Sequence, residues 1–85
     1  MNAVYIINEN GQVYPLAYIS FASAVEAVKE SHKKTLDMEL NEGHGKYVSS
    51  EIDVPENKLT GKTLLYIYNG THLLIQICKL PILSF

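Results

Sequence analysis

Arginine and tryptophan are absent from this 85-residue chain, and cysteine occurs once, as Cys78. Each absence removes a class of function. Arg supplies the rigid fork that grips phosphates and guanine edges with two parallel hydrogen bonds, so a nucleic-acid reader built without it is unexpected. The seven cationic residues are all Lys and face nine carboxylates, for a formal net charge of -2, so no basic excess exists to release counterions from a polyanion. A single cysteine excludes an intramolecular disulfide framework and suits a reducing compartment. No run of 18 apolar residues occurs, which leaves no candidate for a membrane-spanning helix. Met1-Asn2-Ala3-Val4-Tyr5 carries neither the basic start nor the long apolar stretch of an export signal, so the expected location is cytoplasmic.

What is present is a core. Apolar residues make up 47% of the chain, too many for a disordered segment. At this size folding buries roughly 60 to 65% of the surface of the unfolded chain, enough for one domain over residues 1–85 and for little more. The carboxylates are unevenly placed. Asp37, Glu39, Glu42, Glu51, Asp53 and Glu56 fall in a stretch where Lys46 is the sole cation. Such a stretch reads first as a solvated face and second as an attraction for a partner with a basic surface.

Val4-Tyr5-Ile6-Ile7 and the run from Val13 to Ile19 are β-branched and aromatic, and Asn10-Gly11 between them is a favoured two-residue hairpin turn. That register places Tyr5, Ile7, Tyr14, Leu16 and Tyr18 on one face, with Val4, Ile6, Val13 and Ile19 on the other. Pro15 lacks a ladder donor, so its strand belongs at an edge or carries a bulge there. From Ser20 to Lys34 the period changes: Phe21, Ala24, Val25, Val28 and His32 recur at helical spacing. Ser20, or Ser23 with Glu26, caps its start. Residues 35–40 read equally as more helix or as a strand, and Asn41 to Gly45 as a loop. Tyr47 to Val54 alternates like a strand with one wet face, ended by Pro55. Asn69-Gly70 marks a second hairpin between Thr63–Tyr68 and Thr71–Leu80. It groups Leu64, Tyr66, Leu73, Ile75 and Ile77 on one face and Leu65, Ile67, Leu74 and Cys78 on the other.

The fold class is therefore α+β, a mainly antiparallel sheet of about five strands with one amphipathic helix on one face. Because both faces of the last hairpin are apolar and one helix covers one face, the other needs a further layer. The tail from Leu80 to Phe85 or a second copy of the chain is the expected cover, which makes a homo-oligomer the expected state.

No chemistry-bearing motif survives scrutiny. Gly61-Lys62-Thr63 lacks the glycine five residues earlier that a phosphate loop requires, since Glu56 stands there, and it precedes a strand instead of a helix. His32, His44 and His72 are not spaced with other ligands as a metal site demands. Cys78 and His72 lie six residues apart, roughly 20 Å along a strand, too far for a nucleophile and its base. The expectation is no catalytic residue, no metal and no cofactor. The residues left to carry function are contact residues: Tyr5, Tyr14 and Tyr18 on the first hairpin, Asp37, Glu39, Glu51 and Asp53 in the acidic stretch, and Ile82, Leu83 and Phe85 in the tail. The alternative is a nucleic-acid accessory protein using Lys29, Lys33, Lys34, Lys58 and Lys62.

The order of strand Val4–Ile7, turn Asn10-Gly11, strand ending Ala17-Tyr18-Ile19, Ser-capped helix with Ala24 and Ala27, and return strand Tyr47–Val54 resembles a broad group of small phage and bacterial accessory proteins. That resemblance implies a factor that inhibits or modulates a host protein by contact. It assigns no functional residue.

Overall fold

Seven consecutive residue pairs, from Ala3↔Pro81 to Glu9↔Ile75, join the first strand to the last. In this computed structural model, residues 3–37, 47–61, 63–68 and 70–82 are described. The expectations for residues 38–40 and for the 41–45 loop lie outside them, as do Glu39, Lys62, Leu83 and Phe85. The elements run β1 (Ala3–Glu9), β2 (Gln12–Tyr18), α1 (Phe21–Ser31), the short α2 (Lys33–Leu36), β3 (Tyr47–Ser50), a 3-10 turn at Glu56–Lys58, β4 (Thr63–Tyr68) and β5 (His72–Pro81). The strands form one antiparallel sheet in the order β2-β1-β5-β4-β3. The chain thus leaves one edge of the sheet at β2 and returns at the other edge at β3.

The first hairpin forms as its sequence predicts. Glu9 pairs with Gln12 across Asn10 and Gly11, both at positive φ, which is the twist that suits a two-residue hairpin turn. β2 is an edge strand, and its register slips between Ile6↔Ala17 and Asn8↔Val13, so the Pro15 segment is bulged as well. Tyr5, Tyr14 and Tyr18 keep the face shared with Ile7, while the bulge leaves Leu16 62% exposed. Asn10 does more than turn the chain. Its amide donates to the His72 carbonyl at 3.0 Å, its Oδ1 accepts the Leu74 N–H at 2.7 Å, and its backbone N–H donates to the Leu74 carbonyl at 2.9 Å. The turn is thereby clipped onto β5.

The second hairpin differs from its expected form. Tyr68 pairs with His72, so residues 69–71 make a three-residue connection, and a bulge at Leu64 separates Thr63↔Gln76 from Leu65↔Ile75. A one-residue change in loop length reverses the faces of β4 from Leu65 onward, while the bulge keeps Leu64 in the core as expected. Leu65 and Ile67, not Tyr66, therefore join Leu73, Ile75 and Ile77 on the inner side. β3 is shorter than the alternation suggests. The Ser50 hydroxyl accepts the Ile52 N–H and Val54 N–H bonds to the Glu51 carbonyl, which turns the chain out of the sheet and sends Ile52 into the core.

Ser20 is the cap of α1, its Oγ accepting the Ser23 N–H at 3.1 Å. Ala24, Val25 and Val28 of α1 meet Tyr5, Ile7, Leu65, Ile67 and Ile75 of the sheet, with Leu36 and Ile52 closing the sides. Tyr5 packs edge-on against Phe21, with ring centroids 6.0 Å apart. Residues 33–36 settle the first part of the open segment as helix.

Ile75→Ala, which empties a fully buried site at the sheet centre, is expected to cost about 2–5 kcal/mol in urea unfolding, whereas Ile82→Ala at an exposed site stays within about 0.5 kcal/mol of wild type. Asn10→Gly keeps the turn's φ and removes both side-chain bonds to β5. Its expected cost in the same measurement is about 1–2 kcal/mol.

Candidate interaction surface

Among the described residues the sheet has one face covered by α1 and one without a further layer, and the polar side chains divide unequally between them. On the covered side, three titratable groups meet where β1, the β2 bulge and the end of α1 converge. Glu9 Oε1 accepts from the Tyr14 hydroxyl at 2.7 Å and lies 2.6 Å from His32 Nε2. Since Nε2 must carry its proton to donate to Glu9, the 3.4 Å approach of Tyr14 to that nitrogen is a consequence of sharing one acceptor. Burial works against the Glu9 carboxylate, but the bonds from Tyr14 and His32 outweigh it and hold the carboxyl below its ordinary range. Burial and the bond to Glu9 push the Tyr14 phenol up to about 12. A carboxylate made less basic and a phenol made less acidic are each tuned away from proton transfer near neutral pH. The trio is a clasp.

Three further carboxylates, Glu51, Asp53 and Glu56, are engaged similarly. The Tyr5 hydroxyl donates to Glu56 Oε2 at 2.7 Å, and Lys79 Nζ stands 4.0 Å from that oxygen and 5.9 Å from the Tyr5 ring centroid. Glu51 accepts the backbone N–H and the hydroxyl of Thr60, closing the 51–60 turn. Lys29 Nζ bonds Asp53 at 2.9 Å and ties α1 to that turn. Glu51 and Asp53 therefore do not share a strand face, and Asp37 is exposed beyond α2. Of the expected contact residues, Tyr5 is buried, Tyr14 and Tyr18 are half-buried and turned toward α1, and Ile82 is exposed just past β5. The sheet bonds continue to Pro81, so Leu80 stays in β5 and does not fold back over the sheet.

Register defines the opposite face. The pairs Val4↔Leu80, Ile6↔Cys78, Ile6↔Ala17, Asn8↔Gln76, Asn8↔Val13 and Tyr66↔Leu74 all point away from α1. Val13 and Leu80 are 60% and 48% exposed, and Cys78 is exposed. Among the described residues this face carries no Asp, Glu or Lys. At its hairpin end Tyr66, Tyr68 and His72 form an aromatic group: the Tyr66 hydroxyl lies 2.9 Å from His72 Nδ1, and the Tyr68 ring centroid is 4.8 Å from that of His72. A two-residue turn at Asn69-Gly70 would group Tyr66 with Leu73 and Ile75, so this aromatic group is not legible in the alternation alone.

Two open grooves flank α1. One of ≈ 570 Å³ runs between Tyr18 of edge strand β2 and Ala22, Glu26, Ala27 and Glu30; the other, ≈ 280 Å³, lies between Phe21, Val25 and Lys29 and the Ile52–Pro55 turn. Neither contains the Glu9 clasp. Among the described residues no three His, Cys, Asp or Glu side chains are grouped to hold a metal ion, and no helix is long and apolar enough to cross a membrane. Compared with protein-family models, curated proteins and solved structures, the chain matches none.

The clasp makes stability pH-dependent with a definite sign. A lowered Glu9 pKa contributes stability that is complete above the ordinary Glu value and is lost as the pH falls through the folded value. A raised Tyr14 pKa contributes stability that is complete below 10 and is lost between 10 and about 12. In urea unfolding, the deficit of Glu9→Gln against wild type is expected to be largest at neutral pH and to shrink on acidification. Tyr14→Phe is expected to flatten the alkaline limb of the profile.

Proposed function

We propose that the chain is a non-catalytic binding protein that acts by docking another protein chain on its uncovered sheet face. The observation that carries this reading is that face itself: apolar clusters of Val4, Ile6, Cys78 and Leu80 toward one end and of Leu74 with Tyr66 toward the other, on either side of the Asn8, Gln76 and Thr63 row, with no formal charge and no covering helix among the described residues. Exposed apolar clusters bordered by uncharged polar residues are a usual mark of a contact site. The half-exposed tyrosines at its end supply the amphipathic anchors that protein interfaces favour. The engagement of Glu9, Glu51, Asp53 and Glu56 in internal bonds supports contact over chemistry. The resemblance of the first half to phage accessory proteins sets such contact in the context of a factor that modulates a host protein.

The nucleic-acid reading through Lys29, Lys33, Lys34, Lys58 and Lys62 has less behind it, since Lys29 is bonded to Asp53 and the chain's net charge is -2. Capture experiments with immobilised protein test the proposal. A partner retained by wild type and by Glu26→Lys on the exposed side of α1, and lost with Leu74→Glu on the bare face, is the expected result. Capture unaffected by Leu74→Glu would overturn it. So would DNA or RNA binding that weakens steeply with salt and needs the lysines.

A further inference from the structure

We infer that the occupant of the uncovered face is a second copy of this chain, packed sheet on sheet about a twofold axis. The inference rests on the docking role given to that face and narrows its partner. Three observations carry it. The first is charge. The face presents no Asp, Glu or Lys among the described residues, while Glu9, Glu26, Glu30, Glu56, Lys29 and Lys79 lie on the helix side, at the rim or on turns. Two copies meeting through these faces oppose no like charges, and the face offers no fixed charge with which to select a charged partner. A net charge of only -2 adds little repulsion.

The second is area. Five strands span four gaps of about 4.8 Å, and a seven-residue strand at about 3.4 Å per residue is about 24 Å long, so the face measures roughly 450 Å² in plan. Two such faces approach the roughly 1,000 Å² that a specific interface needs, before side-chain relief is added. A reversible dimer that dilution separates is the corresponding strength.

The third is shape. β5 is the middle strand of the five. A twofold axis along the strands sets β5 on its own copy, with the side chains of Leu74, Gln76 and Cys78 near the axis, so that the two Gln76 amides can bond each other, and brings β4 over β1 of the partner and β3 over β2. Height along the strands is kept by that axis, so Tyr66 and Tyr68, level with Leu74 and His72, lie over the Asn10-Gly11 turn end of the partner's β1, where little side-chain bulk opposes them, with the sheets about 10 Å apart.

Cys78 provides a probe that needs no mutation, because it is the chain's one thiol and stands exposed on that face. Sedimentation equilibrium and iodoacetamide labelling are carried out across a dilution series of the full chain. The expected result is a mass that doubles on concentration, with the labelling rate falling about tenfold when nine-tenths of the chains are paired. Leu74→Glu, and separately the milder Leu74→Ser with its helical and sheet circular dichroism intact, are expected to restore the monomer mass and fast labelling, while Glu26→Lys leaves both unchanged. A wild type that stays monomeric with constant labelling overturns the second-copy inference. In that case slowing of Cys78 labelling by a captured partner leaves the docking role standing, and no slowing removes both. A doubled mass with unchanged labelling places the dimer contact elsewhere and also overturns the inference.

Discussion

The pairing of β1 with β5 is the constraint on which the rest of the molecule depends. It joins segments some 70 residues apart through seven consecutive residue pairs and makes the ends of the described chain the centre of the sheet. Each central strand then carries its own hairpin partner outward, β2 beside β1 and β4 beside β5. Asn10 extends the same seam by one residue, using its side-chain amide where β1 has already turned away. Long-range pairing of this kind has a high closure entropy, so it persists only because burial of Ile7 against Ile75 and Ile77 follows from it.

From that seam follows the asymmetry of the two faces. The connection from β2 to β3 must travel from one sheet edge to the other, and the helix within it lies across one face only. On that face Glu9, Asp53 and Glu56 are engaged in holding the layer in place. Glu9 gathers Tyr14 and His32, Glu56 takes the Tyr5 hydroxyl, and Asp53 holds Lys29. A half-buried carboxylate needs such partners to remain ionised, so these bonds are a condition of placing charge beside the core. The other face has no need of them because it carries no formal charge among the described residues, and its polar groups are the uncharged Asn8, Gln76 and Thr63.

Much of this was legible in local sequence. Asn10-Gly11 fixes a turn whose positive φ angles few other residues tolerate, Pro15 forces an edge or a bulge by removing a donor, and Ser20 supplies the oxygen that starts α1. Three features were not. The three-residue connection at 69–71 reversed the faces of β4 from Leu65 onward, because strand parity depends on loop length and Asn-Gly does not specify that length by itself. Tyr47–Val54 alternates throughout, yet the Ser50 hydroxyl and the core's claim on Ile52 end β3 at Ser50. The Glu9 clasp unites residues 5, 18 and 23 positions apart, separations that carry no local periodicity.

Sequence alone determined the class of the fold, the positions of the first hairpin and the helix, and the surplus of apolar surface over what one helix hides. These follow from short-range sterics, capping and amphipathic period, each of which acts within a few residues. Only the tertiary structure decided where that surplus lies. Strand order and register assign Val4, Ile6, Tyr66, Leu74, Cys78 and Leu80 to one face, and they depend on hydrogen bonds between segments that the chain's own order keeps far apart. The sequence also placed carboxylates in the middle of the chain as a candidate contact. Folding drew several of them into bonds with Tyr5, Thr60 and Lys29, because a partner held within the same chain is always at high effective concentration.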